Sequence, residues 1–453
     1  VGGGTAGANA AYQFAERGRS VVVLERRSAG VAGAQWHNGV LPWQFEAAGL
    51  EPPVPPERDD HASGVTHLFA PDGTHGVTVR NSPIVRADMA LLGNRLRALA
   101  AGVGVEMVDR VSTVEVDVDP TGRIRAVDVT RQPSRRGESA PTLRVEADLF
   151  VDASGRRGVL RRHAPALTRW CPQVRGDELC SASDHHLRID DPDGAKRFLE
   201  RYDASPGESV TVVGPEGGWS TRAITVSADL DHAAVLVGCI ADGRYSTGPR
   251  MLDATRAELP WLGESLSGGT GVIPLRRPYA RITAPGLALV GDAACQVFPA
   301  HGSGIGLGLI AGRLLADAAS GAADCGDGTT LWAYQRTFQQ EYGGLLAAFD
   351  AFRRMSTALG SAGVARMVSA GLLSEDMTRA GLDQRWQAPD PAELPATVAK
   401  LARVPGVAAK MLPMLARGQL LRGVGARHPD QPDEQALDRW DAKVERLLGH
   451  QPH

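Results

Sequence analysis

The chain opens "VGGGTAGANAAYQFAERGRSVVVLE", and the spacing of Gly2, Gly4 and Gly7 constrains the fold more than any other feature. Glycines in the pattern GxGxxG give a tight turn, room for a pyrophosphate against bare backbone, and close packing of a helix on a strand. Thr5 to Glu16 is rich in small residues and compatible with a helix, and Gly18 stands where a C-terminal cap belongs. Ser20 to Leu24 is a β-branched run suited to a strand buried on both faces. Glu25 closes that run, where an acid accepts hydrogen bonds from an adenosine ribose. Together these predict a dinucleotide-binding α/β domain. The strand that such a fold places ahead of Gly2 is not in the sequence, which predicts a natural chain longer at this end.

A length of 453 residues exceeds one ordinary core and predicts two or three domains. The net charge of −3 gives no electrostatic case for nucleic acid, and the pairs Arg135–Arg136 and Arg156–Arg157 read as solvated faces. Five cysteines, at 171, 180, 239, 295 and 325, form no metal-ligand spacing, and their odd number points to reduced thiols in a cytoplasmic setting. "CSASDHH" (Cys180 to His186) has no partner pair elsewhere, so its role reads as structural and no metal is expected. No run of 18 uncharged apolar residues suggests a membrane span.

Four segments are expected: residues 1–169 as the first part of the dinucleotide-binding domain, 170–274 as an inserted substrate-binding sheet, 275–324 as the return, and 325–453 as a helical region. The sheet follows from the alternating runs "SVTVVG", "TRAITVS" and "AAVLVGC". Before it, "ADLFVDASGRRG" sets Asp152 at the end of a buried strand, open to two readings, a ligand contact or a turn cap. The return reads "GLALVGDAACQVFPAHGSGIGLG": a strand at Leu287–Val290, Asp292 at its end, a loop through Pro299 and a helix starting near Gly302. Its glycines let helix amides approach a ligand, and the positive helix end favours an electron-rich acceptor.

The order "GGGTAG" with Glu25, "VDASGRRG" and "GDAACQVFPAHGSGIG" resembles the FAD-dependent oxidoreductase superfamily over about residues 1–350. That superfamily includes group A flavin monooxygenases, flavin-dependent halogenases and geranylgeranyl reductases. The resemblance implies FAD, with its pyrophosphate at Gly2, Gly4 and Gly7 and its adenosine ribose at Glu25. It sets Asp292 against the ribityl chain, and the loop of Pro299 and the helix of Gly302 and Gly304 against the flavin ring. Arg86 matches the arginine that begins the crossover helix near the cofactor. His301, just before the helix glycines, is the catalytic candidate, polarising a substrate or relaying a proton at near-neutral pKa, or else it only caps and packs. Cys295 reads as buried and inert.

Halogenases resemble one another in an N-terminal lysine and a WxWxIP segment. This chain has no lysine before Lys196, and reads "GGWSTRAITV" at Trp219. "GVIPLRRP" and "HNGVLPWQFEAAGL" look like the geranylgeranyl reductases, whose aromatic Phe-Pro segment is absent. The leading expectation is a monooxygenase that tailors a hydrophobic small molecule through a flavin C4a-hydroperoxide. The alternatives are a reductase of isoprenoid-type double bonds and a non-catalytic flavin-binding paralogue. With no second GxGxxG, electrons are expected from transiently bound NAD(P)H or from a separate flavin reductase. Phe338, Tyr342, Leu345, Phe349 and Phe352 form an aromatic helical stripe that reads as core. Beyond the proline-rich 387–395, "ATVAKLARVPGVAAKMLPMLARGQLL" is open to three readings: a cover over the site, a dimer face, or peripheral membrane contact.

Overall fold

The computed structural model describes residues 1–59, 62–132, 140–387 and 391–449. Arg135 and Arg136 lie outside them, as do residues 388–390 of the proline-rich stretch. Helix α1 (Thr5–Glu16) leaves the glycine turn and leads to β1 (Val22–Leu24). There follow β2 (His37–Val40), α2 (Pro42–Ala47), β3 (Thr66–Phe69), β4 (Gly76–Val79) and β5 (Val85–Asp88). The Asp88 carboxylate accepts from the amides of Ala90 and Leu91 and so starts α3 (Met89–Gly102), which returns the chain to β6 (Glu106–Val108), parallel to β1. Strands β7 (Val111–Val118), β8 (Ile124–Arg131) and β9 (Thr142–Glu146) form an antiparallel crossover sheet before β10 (Phe150–Asp152).

Val1 and Gly2 bridge the β1–β6 pair and β10. The Gly2 amide donates to the Leu24 carbonyl at 2.8 Å, and the Val1 carbonyl accepts from the Ala153 amide at 2.9 Å. These two residues stand where the sequence predicts a central strand. Gly2 has φ 105°, and a Cβ there would come within 2.3 Å of the Ala153 carbonyl oxygen. A Cβ at Gly7 would meet the Gly2 carbonyl oxygen at 1.9 Å, so only glycine lets α1 sit this close to the turn.

The middle of the chain adds β11 (Leu179–Ile189), α4 (Pro192–Arg201), β12 (Ser209–Val213), β13 (Ser220–Val226), β14 (His232–Ile240), α5 (Gly248–Glu258) and β15 (Leu262–Pro274). They form a seven-stranded sheet in the order β15-β11-β14-β13-β12-β3-β4. Strands β3 and β4 come from residues 66–79, ahead of the segment the sequence assigns to this sheet, and the β12–β3 pair is parallel where antiparallel pairing is expected. Period-2 alternation divides the faces. Val210 packs with Ile224, Val235 and Phe198 in a core under α4 and α5, and Val212 is buried, while Ser209, Thr211 and Val213 face a cavity.

The chain returns through β16 (Thr283–Ala284) and β17 (Leu287–Leu289), which lies parallel to β10, to α6 (Ile305–Ala319) packed on α1. Helices α7 (Gly328–Phe338), α8 (Gly344–Ser369, kinked at Gly360), α9 (Glu375–Leu382), α10 (Leu394–Ala402), α11 (Pro405–Gly425) and α12 (Glu434–Leu448) complete the fold. A buried ionic network ties them down. Fully buried Asp350 accepts from Arg353 and Arg354 at 2.9 Å, and Arg277 reaches Asp441 and Glu445 on α12. Burial alone would raise the Asp350 pKa, but Arg354 and Arg353 hold it well below the usual carboxylate range. The architecture is a Rossmann-like α/β domain with a large inserted sheet and a helical C-terminal region.

Candidate active site

A cavity of about 1190 Å³ runs from the glycine turn, past the start of α6, to the space between the seven-stranded sheet and the C-terminal helices. Single-ligand pockets span about 300–1,000 Å³, so this one has room for a cofactor and a second molecule. Helices α1 and α6 both begin on its wall, with Gly4 and Gly304 as N-caps and no side chain capping either. Asp88, Asp327 and Asp433 close α3, α7 and α12, whereas α2, α5, α10 and α11 also start without a side-chain cap. The first amides of a helix have no internal acceptor, and its N-terminus is electropositive. Two uncapped starts on one cavity therefore suit an elongated anionic ligand, phosphate at one and an electron-rich ring at the other. The donor set thus fits a flavin dinucleotide.

Gly2 and Gly4 line the cavity, whereas Gly7, expected beside the pyrophosphate, lies behind it as packing for α1. Glu25 accepts from the Gly3 amide at 2.6 Å and the Arg27 amide at 2.8 Å, which fixes the glycine loop while leaving the acid on the cavity wall. Arg97 was not apparent from sequence. It is buried on α3 and donates to the carbonyls of Gly3 and Ala32, both at 3.2 Å. Its signal was an arginine among Leu92, Leu96 and Ala100 on the buried face of a helix.

Arg86 corrects an expectation. It lies on β5, because the Asp88 cap delays α3 to Met89, and its guanidinium reaches Asp184 of β11 at 3.1 Å. It lines the cavity, but as a tie to the seven-stranded sheet rather than as the first residue of the crossover helix. Pro299 is buried in the turn, and Ala300 to Gly304 form the cavity wall in front of it.

Asp292 sits in the 3₁₀ turn after β17 and faces the cavity. Among the described residues no donor reaches its carboxylate, and burial pushes its pKa up to about 6 against the pull of Arg156. Asp152, at the end of β10, instead accepts from Ser154 (amide 3.1 Å, hydroxyl 2.6 Å) and from the amides of Leu160 (2.8 Å) and Arg161 (2.9 Å). It is the turn cap of the two readings.

His301 keeps accessible area and lies on the cavity wall. Burial within the protein pushes its pKa down to about 4, below the near-neutral value expected, although the Gly381 carbonyl beside it acts in the opposite sense. Its ring centroid is 4.7 Å from that of Phe298. The Trp219 indole, just ahead of β13, donates to the Ala300 carbonyl at 3.0 Å and holds this loop against the sheet. Cys295 is buried, and burial pushes its thiol up to about 11, an unreactive value. The aromatic stripe divides: Phe338 is core, whereas Phe349 and Phe352 face the cavity.

A family model described as a tryptophan halogenase matches residues 77–173, and one described as an NAD(P)-binding Rossmann-like domain matches residues 1–44. The halogenase match ends before β11 and the other four later strands of the seven-stranded sheet, and none of the four lysines lines the cavity. Digeranylgeranylglycerophospholipid reductase 2 of Methanopyrus kandleri is 25% identical over 352 residues, 76% of this chain and 82% of its own length. A digeranylgeranylglycerophospholipid reductase of Sulfolobus acidocaldarius is 24% identical over 369 residues, 78% of this chain and 76% of its own. In three dimensions, a geranylgeranyl bacteriochlorophyll reductase-like protein from Thermoplasma acidophilum superposes with a TM-score of 0.70 at 17% identity, over 91% of this chain and 98% of that protein. No helix among the described residues is long and apolar enough to cross a membrane. By motif order, fold and relatives, the chain resembles the FAD-dependent oxidoreductase superfamily, and within it the geranylgeranyl reductase-like members.

Proposed function

We propose that this flavin-dependent oxidoreductase reduces carbon–carbon double bonds in an extended, apolar, isoprenoid-type substrate. The observation that carries the reading is the second half of the cavity. Its walls are Leu236 of the sheet, Phe349 and Phe352 of α8, and Met411 and Met414 of α11. Flexible methionines and aromatic faces suit a long hydrocarbon chain better than a compact polar one. The reductase names of the two curated relatives support the same choice over oxygen insertion.

Bound FAD would supply hydride chemistry at its ring. In this reading Gly2, Gly4 and the start of α1 hold the pyrophosphate and Glu25 the adenosine ribose. Asp292 accepts from the ribityl hydroxyls, and Gly302, Gly304 and the start of α6 favour electron density on the ring edge. His301, neutral at pH 7, orients substrate by hydrogen bonding and is not the acid that completes the reduction. Electrons arrive from NAD(P)H or from a separate reductase. Anaerobic turnover of a geranylgeranyl lipid, followed by mass spectrometry, tests the proposal, with gain of two hydrogens per double bond as the expected result. A product that carries oxygen and forms only in air would overturn it in favour of the monooxygenase. A chain that binds flavin but turns nothing over would be the non-catalytic paralogue, and one that neither carries nor takes up flavin would overturn the enzyme reading.

A further inference from the structure

Between Glu393 and Asp430 the chain holds no acidic residue. Leu394 to Pro429 carries six cations, Lys400, Arg403, Lys410, Arg417, Arg422 and Arg427, in a protein of net charge −3. Among the described residues none of the six is paired with a carboxylate. Lys400 donates to the Gly371 carbonyl, Arg422 to the Gln419 side chain, and Arg403, Lys410, Arg417, Arg422 and Arg427 are exposed.

Helix α11 is apolar on two opposite faces. Its inner face, Val407, Met411, Met414, Gly418 and Leu421, is buried, and Met411 and Met414 line the cavity. Its outer face, Ala409, Leu412, Ala416, Leu420 and Gly423, follows the three- and four-residue spacing of one stripe and is exposed throughout. Leu412 is 52% and Leu420 57% exposed, and on the neighbouring α10 Val398 is 63% and Leu394 46% exposed. A helix apolar on both faces is normally covered on both. Lys410 and Arg417 flank the outer stripe.

We propose that the outer face of α10 and α11 docks on an anionic phospholipid bilayer. Apolar side chains on an interfacial helix enter the headgroup boundary while flanking cations meet lipid phosphates. A second copy of the chain is the poorer occupant, because a twofold interface would set these unpaired cations against their own copies. One helix diameter, about 10 Å, then separates the bilayer from the cavity that α11 lines on its inner side. The inference does not rest on the proposed reduction, since binding is read without turnover.

Flotation of the full chain with vesicles of equal parts phosphatidylcholine and phosphatidylglycerol, against phosphatidylcholine alone, tests it. Binding to the anionic vesicles, reduced by salt, is expected. Lys410→Glu with Arg417→Glu should weaken it by about twentyfold or more, from roughly fivefold per cation. Leu412→Asp with Leu420→Asp should abolish it, with unchanged melting temperature and flavin absorbance because both side chains are exposed. Equal partition onto the two vesicle types, no binding, or wild-type binding by both double variants would overturn the proposal. So would a dimer in sedimentation that Leu412→Asp separates.

Discussion

Two turns of the molecule begin alike and end differently. β10 and β17 run side by side and parallel, and each has an aspartate at its carboxyl end and a 3₁₀ turn after it. Asp152 is still in the strand, in register with Leu289, and its own turn wraps four donors around it. Asp292 stands three residues beyond Leu289, and its carboxylate meets the open space beside Gly304, whose Cβ would lie 3.4 Å from Oδ1. One acid is consumed by local structure; the other is left for a ligand. Position at a strand end does not separate them, but the count of donors does.

The largest test of that difference is stability. Asp152→Asn would turn an amide N–H₂ toward backbone amides that need an acceptor, at a cost of about 3 kcal/mol or more. Asp292→Asn leaves no donor stranded and should cost nothing at pH 7. Urea unfolding of both variants, without flavin, makes the comparison. Equal losses would erase it.

A somewhat smaller effect concerns pH. The Asp292 carboxyl has a folded pKa of about 6, above its ordinary value near 3.8. A carboxyl shifted this way adds stability that is whole below about pH 4 and is lost as pH rises through about 6. The difference is about 3 kcal/mol at most, and less where water enters the cavity. Without flavin, the wild-type chain should therefore lose more stability between pH 4 and pH 7 than Asp292→Asn does. A variant with the same pH dependence as wild type would place the titrating group elsewhere. With flavin restored, Asp292→Ala should bind it about tenfold more weakly, the scale of one lost charge-assisted hydrogen bond, as read by equilibrium dialysis.

The same contrast explains what sequence could and could not provide. The glycine spacing and Glu25 were legible because their reasons are local: a positive φ at Gly2, a 1.9 Å approach at Gly7, and an acid one residue past a β-branched run. The face of β12 was legible from alternation. Contacts set by distant chain were not. β3 pairs with β12 across more than a hundred residues, and nothing in "THLF" announces it. Phe338 and Phe349 share one helical pattern, yet only the fold decides which one meets the cavity. Arg86 was misplaced because the helix start depends on which acid caps it. The fates of Asp152 and Asp292 likewise depended on residues that follow them, not on the motif that contains them.

The smallest expected effect belongs to His301, which shares the cavity with Asp292 but shows the opposite response to burial. Burial raises the acid toward neutrality and lowers the base away from it, to about 4. At pH 7 the imidazole is neutral and makes hydrogen bonds without carrying charge. His301→Gln preserves a neutral donor and acceptor, so kcat should fall less than tenfold with flavin affinity unchanged. His301→Ala removes both functions and should fall further. The pH–rate profile of the wild type should show no His301 limb near 6.5; any such limb should lie near pH 4. A limb near 6.5 that disappears in His301→Gln would make the histidine the proton carrier after all, and would place the acid–base chemistry on the loop between β17 and α6.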